Sequence, residues 1–210
     1  MVSLLPLHQN AIDPDGTAER QRNSLRRLEL VLLRHQNSLK EASTRCRNGE
    51  RPACRLENWQ AFLADVADLD MDEQIYRVHR YVNHFHYVKD LDNWDKPDYW
   101  EVPEQLFARG GDCEDYVVTK YISLRALGVP ASHLRMVLVY DEIRHVDHAV
   151  LTVLGSEGTL VLDNNYQRVM TWGTTQDRYQ AYYALNERGV WFNGSQILSA
   201  QAPIEVRKSG

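Results

Sequence analysis

The sequence predicts an α+β fold in which helices come first and an antiparallel sheet follows. Two patterns carry this prediction: apolar residues recur at helical spacing as far as Pro130, and Val- and Leu-rich strand patterns begin after it. A third is the segment Gly155–Gly158, which has the composition of a hairpin turn between two such strands. With 210 residues, 43% of them hydrophobic and 25% charged, the chain has the composition of an ordered globular domain rather than a disordered protein.

The first long helix follows a loose N-terminal arm. Residues 1–18 contain Pro6, Pro14 and Gly16, and therefore predict an arm without regular structure. A helix is expected from about Ala18 to Thr44, because apolar residues alternate there at spacings of three and four. That stripe consists of Leu25, Leu28, Leu32, His35, Leu39 and Ala42. We expect it to pack on its own domain rather than against a partner helix.

Two further helices and a long loop are predicted before the glycine pair. Glu57–Leu69 carries apolar residues on one side, and so does a helix that starts at Asp72. Asp70, followed three residues later by Glu73, has the pattern of a capping box. Residues 89–111 are rich in Asp, Asn, Pro and Gly and are predicted to be loop.

The last helix and the sheet complete the expected domain. This helix begins at Asp112 or Cys113, and Gly128 and Pro130 stop it. Strands are predicted over Leu134–Tyr140, His148–Leu154 and Thr159–Asp163. Residues 19–205 are expected to form a single domain with a helical part (19–130) and a sheet part (131–205).

Charge and hydropathy exclude two classes of function. Lys and Arg number 24 against 29 Asp and Glu, and this net charge of −5 disfavours broad nucleic-acid binding. No apolar run approaches the roughly 18–20 residues that a membrane-spanning helix needs. Met1–Leu7 is too short for a signal peptide, so we expect the leader of an exported form to have been removed.

The three cysteines have different settings. Cys46 and Cys54 flank a segment with Asn48-Gly49 and Pro52, which are turn-forming residues, and they could therefore close a small disulfide loop. That pairing would leave Cys113 as the free thiol. Three free thiols, as in a cytosolic protein, are the alternative. Because the spacing contains no two Cys-x-x-Cys pairs, it argues against structural zinc.

Cys113 has the surroundings of a reactive thiol. It follows two glycines and opens a predicted helix, whose N-terminal partial positive charge favours a thiolate. Glycine allows a tight turn and a close approach by a substrate. A thiolate nucleophile needs an imidazole as acid and base, and the imidazole needs an orienting acceptor. A buried cysteine at a helix start, without catalytic role, is the alternative.

The predicted hairpin supplies both partners. A two-residue turn at 156–157 would place Asp163 opposite Val150, and His148 points to the same face as Val150. The Cβ atoms of His148 and Asp163 would then be diagonal neighbours, roughly 5–8 Å apart, which suits an imidazole–carboxylate hydrogen bond. A three-residue turn would put the two side chains on opposite faces, so the prediction depends on the turn.

A wider pattern around Cys113 matches a known family. Gly110-Gly111-Asp112-Cys113-Glu114-Asp115-Tyr116, followed by Lys120-Tyr121 and by Leu124–Pro130, resembles the bacterial transglutaminase-like cysteine proteinases, and among them the periplasmic adhesin-releasing type. Supporting pieces are Val82-Asn83, Asp98-Tyr99-Trp100, His148-Ala149-Val150-Leu151, Leu160–Asn164 and Leu185–Trp191. The resemblance runs from about residue 55 to residue 192.

The resemblance implies a papain/transglutaminase-like fold and a Cys-His-Asp triad. Cys113 would be the nucleophile, His148 the general acid and base, and Asp163 the orienting carboxylate. It also implies a periplasmic endopeptidase that cleaves a large surface adhesin near a pair of alanines in its N-terminal region and so releases biofilm cells. An inner-membrane receptor that responds to cyclic diguanylate would control it. The chain departs from the family at Ala149, where methionine is usual, and at His84-Phe85-His86.

Three acidic residues crowd the cysteine. Asp112, Glu114 and Asp115 would raise the pKa of the thiol, and a bound cation would offset that effect. Calcium prefers six to eight oxygen ligands, and the family resemblance also implies calcium at these three residues. Further oxygens could come from Asp141, Glu142 or Asp147. Ordinary helix capping by Asp112, Glu114 and Asp115 is the alternative, and the two roles are compatible.

Other functions fit parts of the pattern. Arg109-Gly110-Gly111-x-Cys113 resembles the cysteine motif of the arylamine acetyltransferases, which also use a Cys-His-Asp triad, but those enzymes lack the flanking Glu-Asp. A non-catalytic binding module of the same fold would be expected to have a broken triad. Catalytic zinc is not expected at the histidines, which are His79, His84, His86, His145 and His148. The backbone N–H of Cys113 is a natural oxyanion donor, and the indole of Trp94 or Trp100 could be a second.

Overall fold

The computed structural model describes residues 14–156, 158–192 and 195–199, and within them helices precede an antiparallel sheet. The helices are α1 (Pro14–Arg47), α2 (Arg51–Val66), α3 (Met71–Val82), α4 (Asp90–Trp94), α5 (Pro103–Arg109) and α6 (Cys113–Ala126). The strands are β1 (Leu134–Asp141), β2 (Val146–Gly155), β3 (Gly158–Leu162), β4 (Met170–Thr171), β5 (Tyr179–Asn186), β6 (Gly189–Phe192) and β7 (Ser195–Ser199). They form one sheet in the order β4-β3-β2-β1-β5-β6-β7. The predicted α+β class is confirmed.

The first helix begins earlier than predicted and packs as predicted. It is helical from Pro14, the first of the described residues, so residues 14–18 are helical rather than part of an arm. Residues 1–13 of the predicted arm lie outside the described residues, as do residues 200–205 of the predicted sheet part. The apolar stripe packs on α2, α5 and the strands β5 and β6 of its own chain. Its buried members include Leu25, Leu28, Leu32, His35 and Ala42.

A disulfide joins the end of α1 to the first turn of α2. Cys46 and Cys54 form this disulfide at a sequence separation of 8 residues. The predicted pairing is therefore confirmed, and the alternative of three free thiols is wrong. The helix α2 begins at Arg51 rather than Glu57, with Pro52 in its first turn. It ends at Val66, so Leu69 lies beyond the helix and is exposed, contrary to the expectation that it belongs to the apolar side.

The segment predicted as loop between α3 and α6 contains two short helices, α4 and α5. The helix α5 starts at Pro103, whose ring fixes a helical backbone angle, and the prediction was wrong because this proline initiates a helix rather than interrupting one. The predicted cap of α3 is present, because the Asp70 carboxylate accepts a hydrogen bond from the backbone N–H of Glu73 at 2.9 Å. The helix begins at Met71 rather than Asp72, and the Glu73 carboxylate pairs with Arg77 instead of completing a capping box.

The central element is α6, which lies between the helical layer and the sheet. It packs on β1 and β2 on one side and on α3 and α5 on the other, and 12 of its 14 residues are buried. A polar contact from α2 reaches it, since the indole N–H of Trp59 donates to the hydroxyl of Ser123 at 2.9 Å. The helix is therefore held from all sides, which fixes the position of its first residue, Cys113. None of the helices in the described ranges is both long and apolar enough to cross a membrane.

Candidate active site

Cys113 is the first residue of α6, and the N-terminus of that helix is built by an aspartate. The carboxylate of Asp115 accepts hydrogen bonds from the backbone N–H of Asp112 at 2.9 Å and of Glu101 at 2.7 Å. It thereby ties the helix start to the segment that precedes α5. Asp115 is fully buried, and burial raises its pKa well above the usual value, with the Glu101 carboxylate adding to the effect.

The two glycines before Cys113 are required by the protein itself. Gly110 has a φ of +83°, and a Cβ there would lie 2.4 Å from the carbonyl oxygen of His86. A Cβ on Gly111 would lie 2.4 Å from a carboxylate oxygen of Asp115. The backbone of Gly111 pairs with the segment at 86–88, because its N–H donates to His86 at 3.2 Å and its carbonyl accepts from Val88 at 2.9 Å. Close backbone packing thus explains the pair without a substrate.

The thiol of Cys113 lies between the helix start and strand β2. Its Sγ donates to a carboxylate oxygen of Glu114 at 2.9 Å, and the backbone N–H of Ala149 lies near enough to favour the thiolate. The residue before Ala149 is His148, so the structure brings the sulfur beside the strand position that carries the predicted base. Burial, together with the carboxylates of Glu114 and Asp112, raises the pKa of the thiol well above its usual value. The carboxylates therefore oppose the helix N-terminus, as the acidic sequence around Cys113 predicts.

The hairpin has the predicted register. Leu154 pairs with Thr159, which leaves a two-residue turn between β2 and β3. Continuing this register places Asp163 opposite Val150, and Nε2 of His148 lies 2.8 Å from Oδ1 of Asp163. Both side chains are buried. The geometry required for an imidazole–carboxylate pair is present.

Two partners of Asp163 were not found from the sequence. Its Oδ1 accepts the backbone N–H of Asn165 at 2.9 Å, and its Oδ2 accepts the hydroxyl of Tyr179 from β5. Burial by itself would raise the pKa of Asp163, but the hydrogen bonds from His148, Asn165 and Tyr179 lower it to about 2. Asp163 is therefore a carboxylate at neutral pH. Tyr179 belongs to a distant strand, and only its position in the assembled sheet reveals the contact.

The acidic residues around Cys113 fall into two groups. Asp112 and Glu114 lie with Cys113, whereas Asp115 lies with Asp90 and Glu101, the ligand atoms of each group being within 4.8 Å of one another. The predicted set of three is thus divided, since the capping role of Asp115 turns its carboxylate toward the protein interior. Burial and the nearby carboxylates of Glu114 and Asp115 raise the pKa of Asp112 to about 10. Asp90 and Glu101 were missed because they are far from Cys113 in sequence.

The other predicted oxygen donors are engaged elsewhere. Asp141 is fully buried, pairs with Arg178 and accepts two backbone N–H groups of the turn that follows β1. Asp147 accepts the hydroxyl of Tyr182 at 2.7 Å. Neither these two residues nor Glu142 belongs to the two groups above. Of the two predicted indole donors, Trp94 donates to Glu101, whereas the indole N–H of Trp100 is buried without a hydrogen bond among the described residues.

The model of one protein family matches residues 43–197, which is well over half of the chain, and its description is bacterial transglutaminase-like cysteine proteinase. The chain belongs to this family. The resemblance read from the sequence is therefore confirmed, and the protein is a cysteine protease of the transglutaminase-like fold. A comparison with curated protein sequences gave no match.

Solved structures of LapG from Legionella pneumophila are similar to this chain. The calcium-bound form has a TM-score of 0.65 and 24% identity, over 80% of this chain and 92% of that one. A second LapG structure has a TM-score of 0.64 and 25% identity, over 74% of this chain and 87% of that one. An EGTA-treated form has a TM-score of 0.64 and 25% identity, over 74% of this chain and 84% of that one. These likenesses agree with the family match and support a LapG-type protease.

Proposed function

We propose that the protein is a calcium-dependent periplasmic cysteine endopeptidase that uses Cys113, His148 and Asp163. Its substrate is the N-terminal region of a large surface adhesin, cut near a pair of alanines, and an inner-membrane receptor responsive to cyclic diguanylate controls it. One observation carries the catalytic part: Nε2 of His148 on strand β2 lies 2.8 Å from Oδ1 of Asp163, and the backbone N–H of the next residue, Ala149, lies near the Cys113 sulfur. The substrate, the receptor and the compartment rest on the family resemblance of the sequence.

The proposed chemistry follows from how the imidazole is held. Since Nε2 of His148 is engaged by Asp163, Nδ1 is the nitrogen that exchanges a proton with Cys113. The thiolate attacks the carbonyl carbon of the scissile peptide, and His148 donates a proton to the departing amide nitrogen, which leaves a thioester on Cys113. A water molecule then gives its proton to His148 and attacks the thioester, which releases the second product and restores the thiol.

The oxyanion of each tetrahedral intermediate needs hydrogen-bond donors. The backbone N–H of Cys113 is at the start of α6, where N–H groups have no partner within the helix. The partial positive charge of the helix end acts in the same direction. The rigid burial of α6 keeps this donor in place, so that little rearrangement is required when charge develops.

The residues around the thiol fit a calcium ion. Asp112 and Glu114 each present a carboxylate oxygen, these atoms lie within 4.8 Å of each other, and burial together with the Glu114 charge raises the pKa of Asp112. Behind them, Asp90 Oδ1 and Glu101 Oε2 are buried and have no hydrogen bond within the described part of the chain. Hard oxygen donors of this kind are the ligands calcium prefers. A calcium ion held by Asp112 and Glu114 would offset the charge that keeps Cys113 protonated.

The function is tested with N-terminal fragments of candidate adhesins. Purified protein is incubated with each fragment, and products are identified by mass spectrometry. We expect one cut near an alanine pair, no cut by the Cys113→Ala variant, and no cut when the pair is replaced by bulky residues. Cleavage that persists in Cys113→Ala would refute the assignment of the nucleophile, and turnover of acetyl-coenzyme A with an arylamine in place of peptide cleavage would favour an acyltransferase.

Calcium dependence is tested with variants of the acidic pair. EGTA should abolish cleavage and lower Tm, and added calcium should restore both. Asp112→Asn and Glu114→Gln should weaken the calcium response, whereas Asp65→Asn, which alters an exposed carboxylate on α2, should leave it unchanged. An EGTA-insensitive enzyme would contradict the calcium part of the proposal and leave the triad standing.

A further inference from the structure

Asn165 follows the orienting carboxylate by two residues and contacts both members of the His148–Asp163 pair. Its backbone N–H donates to Oδ1 of Asp163 at 2.9 Å, and the nitrogen of its side-chain amide lies 3.1 Å from Nε2 of His148. The same Nε2 lies 2.8 Å from Oδ1 of Asp163. Asn165 is exposed, so packing in the protein core does not explain why its amide is held against a buried imidazole.

The charge on Asp163 decides which atom of the Asn165 amide can bind the imidazole. A carboxylate only accepts hydrogen bonds, so the proton between Asp163 and His148 must be on Nε2. A protonated ring nitrogen cannot accept a hydrogen bond from an amide N–H. A half-turn of the amide exchanges its nitrogen and oxygen, and it places Oδ1 of Asn165 where it accepts from Nε2. Two oxygens then share the proton on Nε2.

Tyr179, on strand β5, holds the other oxygen of the carboxylate. Its hydroxyl donates to Oδ2 of Asp163, and the centre of its ring lies 6.2 Å from the centre of the His148 ring. Tyr179 is buried, so its ring occupies a fixed place beside the imidazole. Because Oδ1 and Oδ2 of Asp163 both accept hydrogen bonds, the carboxylate cannot rotate without breaking one of them.

The loop that carries Asp163 and Asn165 is itself held from two sides. From α3, Nδ2 of Asn83 donates to the backbone carbonyl of Asp163 at 3.1 Å and to that of Tyr166 at 2.7 Å. From the segment that precedes β5, the guanidinium of Arg178 donates to the hydroxyl of Tyr166. These bonds fix the loop on both sides of Asn165, and they therefore fix the place from which its amide reaches the imidazole.

We propose that Asn165 and Tyr179 are positioning residues that hold the His148–Asp163 pair in the orientation needed for proton transfer. Asn165 accepts part of the proton on Nε2, and Tyr179 fixes the carboxylate that accepts the rest. The ring is thus held at Nε2, which keeps Nδ1 available to Cys113. The inference rests on the proposed function, because it takes His148 as the general acid and base. Each of the two residues acts through the pair.

The test measures how fast Cys113 reacts with iodoacetamide at pH 7 in the presence of calcium. The other two cysteines form the disulfide, so Cys113 is the thiol that reacts. His148→Ala gives the full effect of losing the imidazole, which we expect to be about a hundredfold. Asn165→Ala and Tyr179→Phe should each slow the reaction about tenfold, the loss expected for one hydrogen bond to a charged group. Since Asn165 is exposed, Asn165→Ala should keep nearly the wild-type Tm.

Each variant has a matched control. Tyr182→Phe removes another hydroxyl of β5 that donates to an aspartate, Asp147, at 2.7 Å. Gln167→Ala removes an exposed side-chain amide from the loop that carries Asn165. Both controls should react at the wild-type rate. Asn165→Asp keeps an oxygen acceptor of the same length and should recover most of the rate that Asn165→Ala loses; a rate as low as that of Asn165→Ala would contradict the acceptor role.

The outcomes separate this inference from the proposed function. If His148→Ala slows alkylation while Asn165→Ala and Tyr179→Phe react like the wild type, the positioning role is overturned and the triad stands. If His148→Ala has no effect, the imidazole does not assist Cys113, and the proposed function and this inference both fail.

A cleavable substrate provides a second measurement. Asn165→Ala and Tyr179→Phe should lower kcat about tenfold and leave KM unchanged, because orientation rather than binding is lost. A raised KM with an unchanged kcat would overturn the positioning role, since it would show that the two side chains bind the substrate.

Discussion

Replacing Asp163 with asparagine should remove a pH-dependent part of the protein's stability. The change keeps the shape of the side chain, and an amide oxygen can still accept from His148 and from the backbone of Asn165. What is lost is the negative charge, which the folded protein favours through its hydrogen bonds. The folded pKa of about 2, against an ordinary value of 3.8, corresponds to about 2 kcal/mol at neutral pH.

The sign of the effect follows from the lowered pKa. A carboxyl whose pKa is lower in the folded state than in the unfolded state stabilises the protein above the unfolded pKa, and this contribution is lost as pH falls through the folded pKa. The free energy of unfolding of the wild type should therefore exceed that of Asp163→Asn by about 2 kcal/mol at pH 7, and by about half as much at pH 3. For a domain of this size, the Tm of Asp163→Asn at neutral pH should therefore lie roughly 4–8 °C below that of the wild type.

The assay is urea unfolding of both proteins at several pH values between 7 and 3. Because every other carboxyl is common to the two proteins, the difference in their free energies of unfolding isolates Asp163. The control is Asp147→Asn, which removes the charge of the residue that precedes His148 and accepts the Tyr182 hydroxyl. Its free energy of unfolding should differ little from that of the wild type. A difference between wild type and Asp163→Asn that stays constant from pH 7 to pH 3 would refute the reasoning, since it would show a loss of packing rather than of charge.

Three more predictions concern the scaffold of the site. Removing the disulfide with Cys46→Ala and Cys54→Ala should destabilise the protein by about 2.5 kcal/mol, from the entropy of a loop with a separation of 8 residues, and calorimetry should show a lower Tm that reductant no longer affects. Gly111→Ala should slow alkylation of the Cys113 thiol and lower Tm, because the new Cβ would lie 2.4 Å from a carboxylate oxygen of Asp115; an unchanged alkylation rate would show that the turn adapts. Asp70→Ala should cost about 1 kcal/mol in urea unfolding through loss of the α3 cap, and Asp70→Asn should recover most of it.

The sequence by itself determined the elements whose signals are local. The α3 cap depends on residues three apart, and the turn at 156–157 is bounded by two glycines. Since strand side chains alternate, a two-residue turn there predicts the pairing of His148 with Asp163, and the observed register has that turn. The Gly-Asp-Cys-Glu-Asp block identified the family for the same reason, because its residues are contiguous in the chain.

The tertiary structure alone decided which charges meet. Asp115 belongs with Asp90 and Glu101 rather than with its sequence neighbours, because a helix turns successive side chains by about 100° and the cap directs this one inward. Tyr179 reaches Asp163 only because β5 pairs with β1 in the assembled sheet. The almost complete burial of α6 likewise left no amphipathic pattern from which to infer that Lys120 lies inside the protein. Contacts between residues distant in sequence depend on packing, which no local pattern records.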